Sequence, residues 1–170
     1  RDGRIEQVDT PSVLYAAPAT PFVAEFVGTM NRIPGVIRDS RVELLGTTVE
    51  VRTPAAASPT YRPSGTPVDV LVRPEGLQVT AQQGGRGIVM TTTFLGSVTR
   101  LGVLLDEDVM VYVDQPNSAI QVPVGSAAEV TLTERDVMVA DRTVARSAST
   151  PPASGAETES ESARDGRTTP

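Results

Sequence analysis

The run V-D-V-L-V-R-P-E-G-L-Q-V, residues 68–79, decides the fold class. Val68, Val70 and Val72 alternate with Asp69, Leu71 and Arg73, a period of two that marks a strand with one strongly apolar face. Pro74 has no N–H to give a ladder and ends the strand. Leu77 and Val79 open a short strand beyond the turn.

Moving toward the C-terminus, the same pattern repeats. Gln82–Gly85 is a polar turn. Gly87–Thr93 and Val98–Leu105 read as two strands bent around Gly96, and Asp106-Glu107-Asp108 as an acidic turn. Val109–Val113 is a strand, Gln115–Val122 an irregular loop, and Ala127–Thr133 the last long strand before Val137-Met138-Val139. Moving toward the N-terminus, residues 53–67 are rich in Pro, Ala and Ser and read as a loop. Thr48–Val51, Val42–Leu45 and Val36-Ile37 are β-branched runs punctuated by Gly46 and Asp39-Ser40, as in hairpins. Asn31–Gly35 reads as a loop. Seven to nine short strands at this spacing predict a small antiparallel barrel or sandwich.

Before residue 31 the period changes. Arg4–Val8 reads as a short strand. Thr10-Pro11 and Thr20-Pro21 each place a capping hydroxyl ahead of a proline at the first helical position, which predicts two short helices. Val13, Leu14 and Tyr15 give the first an apolar face, and Pro18 stops it. Phe22, Val23, Phe26 and Val27 stripe the second, which ends at Gly28. Two such helices cannot bury their faces on each other alone. After Val144 no aliphatic larger than Ala appears, so a disordered tail is expected there.

Composition removes whole classes of chemistry. The chain of 170 residues has no Cys and no His, which excludes thiolate catalysis, disulfides, imidazole acid–base chemistry and the usual zinc sites within it. Its fifteen basic residues are all Arg, and a P-loop needs a Lys on the phosphates, so these residues contain none. A net charge of −6 argues against a general nucleic-acid binder. Phe94 and Tyr112 fit core positions rather than base-stacking platforms. No apolar run is long enough to span a bilayer, so direct membrane insertion is not expected.

Two stretches resemble parts of one family. G-R-I-E-Q-V-D-T-P-S-V-L-Y-A-A-P-A-T-P-F-V-A-E-F-V-G at 3–28, then Asn31 and Pro34-Gly35, resembles the end of the nucleotide-binding domain of ABC importer ATPases serving polyamines, ferric iron or sugars. Asp9 departs from the family's usual Gly. V-x-V-x-V-R-P-E-x-L-x-V at 68–79, G-x-V-x-x-x-x-F-L-G-x-x-x-R at 87–100, V-x-V-x-x-P-N-S within 109–118 and P-V-G-S-x-x-x-V-T-L at 123–132 resemble the transport-associated OB (TOBE) domain that follows that ATPase body. The resemblance implies residues 1–34 as the incomplete end of a nucleotide-binding domain, 35–142 as a regulatory TOBE/MOP-like β domain, and 143–170 as the tail.

It further implies a role in dimerisation or regulation and no ATP hydrolysis by this chain alone. The motifs a transport ATPase needs, with ATP and Mg as its cofactors, would lie upstream of Gly3. A second copy of the subunit and the permease subunits would be its partners, at the cytoplasmic face of the membrane, and nucleic acid would not. The chain as given would be a truncation or a piece of a longer product. A stand-alone OB-type sensor of a small oxyanion is the alternative, and an inert fragment with exposed helices a third. Phe22 and Phe26 discriminate: covered by the barrel in a stand-alone sensor, exposed in a piece of something larger.

Three clusters carry candidate chemistry. Arg73-Pro74-Glu75 reads either as a regulatory binding motif or as a rigid turn whose charges pair locally. Ser97, Thr99 and Arg100 have the donors an oxyanion needs, yet a strand alternates their exposure. Asp106-Glu107-Asp108 reads as a cation site or as a solvated turn, without calcium-loop spacing. No metal is expected.

Overall fold

The computed structural model describes residues 2–52 and 61–142. The expected tail and most of the Pro/Ala-rich loop lie outside the described residues. Two helices, α1 (Pro11–Ala16) and α2 (Pro21–Phe26), precede ten strands. These are β1 (Asn31–Arg38), β2 (Arg41–Leu44), β3 (Thr47–Val51), β4 (Pro67–Val72), β5 (Leu77–Ala81), β6 (Gly87–Phe94), β7 (Val98–Leu105), β8 (Val109–Pro116), β9 (Ala127–Leu132) and β10 (Asp136–Asp141).

Strands β1-β2-β3-β10-β4 close into a barrel, and β5-β9-β6-β7-β8 form a second sheet. All pairings are antiparallel except β10 with β3. The mainly β, barrel-containing fold led by two short helices is the expected one, with ten strands among the described residues in place of seven to nine. The inward Val, Ile and Leu of both sheets share one core, from Ile33, Val42, Val68 and Val70 across to Leu101, Val103, Val111 and Val130.

Five readings need correction. Asn31–Gly35 is the first half of β1 and not a loop. Pro34 is tolerated because of its direction. The Ile37 N–H donates to Thr66 O on the β4 side, so by alternation the Pro34 nitrogen faces β2, whose pairing starts only at Val36. Gly35 is needed because β2 and β4 close in on it, with no room for a Cβ between Val70 and Val42. Arg4–Val8 is not a strand: it pairs with no strand among the described residues, and Ile5 and Val8 are exposed. Strand β8 runs on to Pro116, so the loop begins at Asn117.

Strand β4 is buried on both faces rather than one. Its second face meets α2: Ala24, Leu71, Met138 and Ala140 form a small cluster outside the barrel, with Met30 packed against it. Phe94 and Tyr112 are not core residues. Val111 and Val113 take the inward positions of β8, which turns Tyr112 outward. Residues 90–97 are all exposed, so the β6–β7 hairpin projects beyond the core and leaves Phe94 71% exposed. A register shift between Val89 and Thr91 precedes that projection.

Candidate functional site, the seat of the leading helices on the barrel

Proline-initiated helix α1 ends where the barrel supplies arginines. Thr20 caps α2, accepting from the Val23 N–H at 3.2 Å. Thr10 makes no such bond, contrary to expectation, and contacts the Ser12 hydroxyl instead. What holds α1 is its other end. The Arg73 Nη2 donates to the Tyr15 carbonyl at 2.8 Å, and the Arg52 Nη1 donates to the Ala16 carbonyl at 3.1 Å. These carbonyls lack helical partners, and cations there also match the sign of the helix end.

Arg73 leaves β4 just before the Pro74–Gly76 turn, which fixes where its side chain goes. Its guanidinium lies over the Tyr15 ring, 3.6 Å from the centroid. The Tyr15 hydroxyl donates to Glu75 at 2.5 Å. Arg73-Pro74-Glu75 therefore grips one residue of α1 three ways, through its ring, carbonyl and hydroxyl. Burial, and then the bond to Glu75, push the Tyr15 phenol pKa up. Arg73 is only 8% exposed, and its Nη1 has no hydrogen-bond partner. That nitrogen packs against Gly28, where an added Cβ would sit 2.7 Å from it. Gly28 thus matters for close approach rather than as a left-handed helix stop.

Around this grip lies a cleft of about 210 Å³ lined by Tyr15, Arg52, Arg73, Glu75 and Glu134, with Leu71 and Met138 at its apolar side. Arg52 donates to Asp136 at 2.6 Å, which holds the Asp136 carboxyl below the usual aspartate range. Glu134 behaves oppositely. Burial raises its pKa, Arg52 lowers it, and Asp136 and Glu75 raise it further. Arg32 ties α2 to the barrel, contacting Glu25 at 2.7 Å and Asp69 at 3.1 Å.

The Glu134 shift gives a pH prediction. A carboxyl whose folded pKa is raised binds more protons folded than unfolded, so stability falls as pH rises through the window between the two values. Glu134→Gln should therefore raise the melting temperature at pH 7. The gain should shrink as pH falls and vanish below about pH 4, where the unfolded glutamate is also protonated. Asp136 works the other way, stabilising above the usual aspartate range and losing that contribution as pH falls through its lowered value. Melting curves of Glu134→Gln and Asp136→Asn across pH 3–8 check both signs, on the order of these reference values.

The other candidates are not brought together. Ser97 is exposed in the hairpin turn, Thr99 is buried, and Arg100 lies on the opposite face of β7. The Thr99 hydroxyl donates to Asn117 at 2.8 Å, whose amide donates to Gly96 O, bracing the hairpin. Arg100 makes two bonds to Asp114, at 2.7 and 2.8 Å, which keep it charged. The structure thus does not bring Ser97, Thr99 and Arg100 together at one place. Among the described residues no group of three or more Asp or Glu is placed to hold a metal ion, and no helix is long and apolar enough to cross a membrane.

Tyr15, Arg52 and Glu134 went unread as site residues, as did Asn31. The Asn31 amide reaches across to β8, donating to Tyr112 O at 2.8 Å and accepting from the Tyr112 N–H at 2.7 Å. Its place in the motif closing the leading stretch was the only signal.

Comparison with known proteins agrees with this architecture. The TOBE domain family matches residues 70–139. A sulfate/thiosulfate import ATP-binding protein of Xanthomonas campestris is 40% identical over 104 residues, covering 61% of this chain and 28% of that protein. A spermidine/putrescine import ATP-binding protein of Acidothermus cellulolyticus is 32% identical over 131 residues, covering 71% and 34%. One from Ruegeria pomeroyi is 31% identical over 123 residues, covering 69% and 32%. The chain thus spans about a third or less of the length of these relatives. Residues 70–139 are a TOBE domain, and the region that carries it is homologous to the ATP-binding subunits of ABC importers.

Proposed function

We propose that this chain is the C-terminal regulatory portion of the ATP-binding subunit of an ABC solute importer, contributing to dimerisation and regulation and not hydrolysing ATP by itself. The observation that carries the reading is the two-sidedness of the leading helices. Their inner side seats on the barrel through Tyr15, Ala24, Arg52 and Arg73. Their outer side presents Phe26, 80% exposed, stacked on Phe22 at 6.0 Å between centroids. Apolar side chains in such a group, rather than scattered singly, indicate a covered surface in the working molecule.

On this reading the cover is the ATP-binding body, which binds ATP and Mg through residues this chain lacks. A second copy of the subunit and the permease subunits are the partners, at the cytoplasmic face of the membrane. Domain limits of 1–34 and 35–142 follow the same proposal, with the refinement that barrel pairing already includes Asn31. The free-standing oxyanion sensor is not favoured, since the Thr99 and Arg100 donors have protein acceptors.

Calorimetric titration tests the reading. The Acidothermus relative's ATP-binding domain, cut before its segment equivalent to residues 3–28, is titrated with this chain. Wild type should bind. The Phe22→Ser/Phe26→Ser pair should bind at least about tenfold more weakly, the order expected for two buried aromatics lost. Equal binding of both, or none by wild type, would count against it.

A further inference from the structure

The two leading helices are held by different physics. Helix α2 is anchored apolarly: Val23 and Ala24 are buried, and Ala24 belongs to the cluster with Leu71, Met138 and Ala140. Helix α1 has no buried residue. Its hydrogen bonds and cation–π contact with the barrel gather at its last two residues, through Arg73, Glu75 and Arg52. At six residues it is far below the roughly 12–15 at which an isolated helix persists in water. Between them, in the connector Ala17–Thr20, Pro18 is buried and lines the charged cleft.

From these contrasts we infer that α1 is a releasable strap: it undocks and melts as a unit about the Pro18 pivot while α2 and the barrel stay folded. Docked, it caps one side of the charged cleft. Released, it opens that cleft of about 210 Å³, with Arg52, Arg73, Glu75 and Glu134 on its walls, to solvent and to partners. The three grips on Tyr15 act together, because one residue carries the ring, the hydroxyl and the carbonyl involved. Losing the docked position breaks all three, which makes the strap two-state rather than gradually frayed. The device is built from this chain's own segments, and it holds whether or not an ATP-binding body covers the outer side.

Amide hydrogen exchange on the full chain tests it, because native-state opening reports local units separately. The probes for α1 are the Leu14 and Ala17 amides, bonded to Thr10 O and Val13 O. Those for α2 are Ala24 and Val27, bonded to Thr20 O and Val23 O. In wild type the α1 pair should exchange at least about tenfold faster than the α2 pair. Tyr15→Ala should speed the α1 pair about tenfold more, and leave the α2 pair and β4 within about twofold. Tyr15→Phe, which keeps the ring and loses only the bond to Glu75, should give a smaller rise at the same two amides. It also serves as the readout if Tyr15→Ala disturbs the fold. Exchange of all four amides in step, or equal acceleration of both pairs by Tyr15→Phe, would overturn the inference.

Discussion

Replacing Asn31 by Ala is expected to lower the stability of the folded chain by about 3 kcal/mol, since two backbone groups lose partners at once. Asn31 is 3% exposed and reaches from β1 to the free edge of β8. Its amide mimics a short length of neighbouring strand. The oxygen takes the Tyr112 N–H, and the nitrogen gives to the Tyr112 carbonyl. Tyr112 lies opposite Gly102 on β7, and its other edge faces Asn31. Removing the amide leaves one donor and one acceptor of Tyr112 without their part-buried partner, and each such loss costs about 1–3 kcal/mol. A urea midpoint lower by roughly 1–2 M is the observable. Asn31→Asp keeps the acceptor for the Tyr112 N–H but sets a carboxylate against the Tyr112 carbonyl, so it should rescue little. Full stability of either variant would show that the barrel and the second sheet are joined by the core alone.

Gly35→Val should cost about as much, roughly 3 kcal/mol, through overpacking rather than lost bonds. A Cβ at Gly35 would sit 2.7 Å from Val70 Cγ2, 2.9 Å from Val42 Cγ2 and 3.1 Å from the Glu43 carbonyl. Two of these neighbours are buried side chains of β4 and β2, and the third is backbone, so none can yield cheaply. Gly35→Ala should cost about 1–2 kcal/mol for the same reason. Pairing Gly35→Ala with Val70→Ala should recover part of the loss, because the residues touch and their effects are not additive. Thermal melts of the four proteins give the coupling directly. Simple additivity would mean that β1 moves away from β4 to accept the methyl.

The positions of the strands were legible because period two survives in Val68–Val72, Val109–Val113 and Thr48–Val51 whatever surrounds them, whereas their order in the sheets was not. What failed was reading local chemistry as local structure. Pro34-Gly35 spells a loop, yet the tertiary arrangement turns the missing N–H of Pro34 to an unpaired side and uses Gly35 for close approach. Phe94 fits the core by its residue type, whereas the hairpin carrying it outruns the core. The seat of α1 could not be read at all from spacing, since Tyr15 meets Glu75 and Arg73 across 60 and 58 residues. Arg73-Pro74-Glu75 stood out as a motif, but its partner is one tyrosine in a distant short helix. Arg52 and Glu134 carry no local signature, and only the closure of the barrel places them beside it.

The most direct test of the account is the coding sequence immediately upstream of Arg1. An in-frame continuation that encodes a P-loop with its lysine and an ABC signature motif, joined without interruption to the helices seated on the barrel, is the expected result. A start codon directly before Arg1, or an in-frame stop there, would contradict it and leave the exposed Phe22 and Phe26 without the body proposed to cover them.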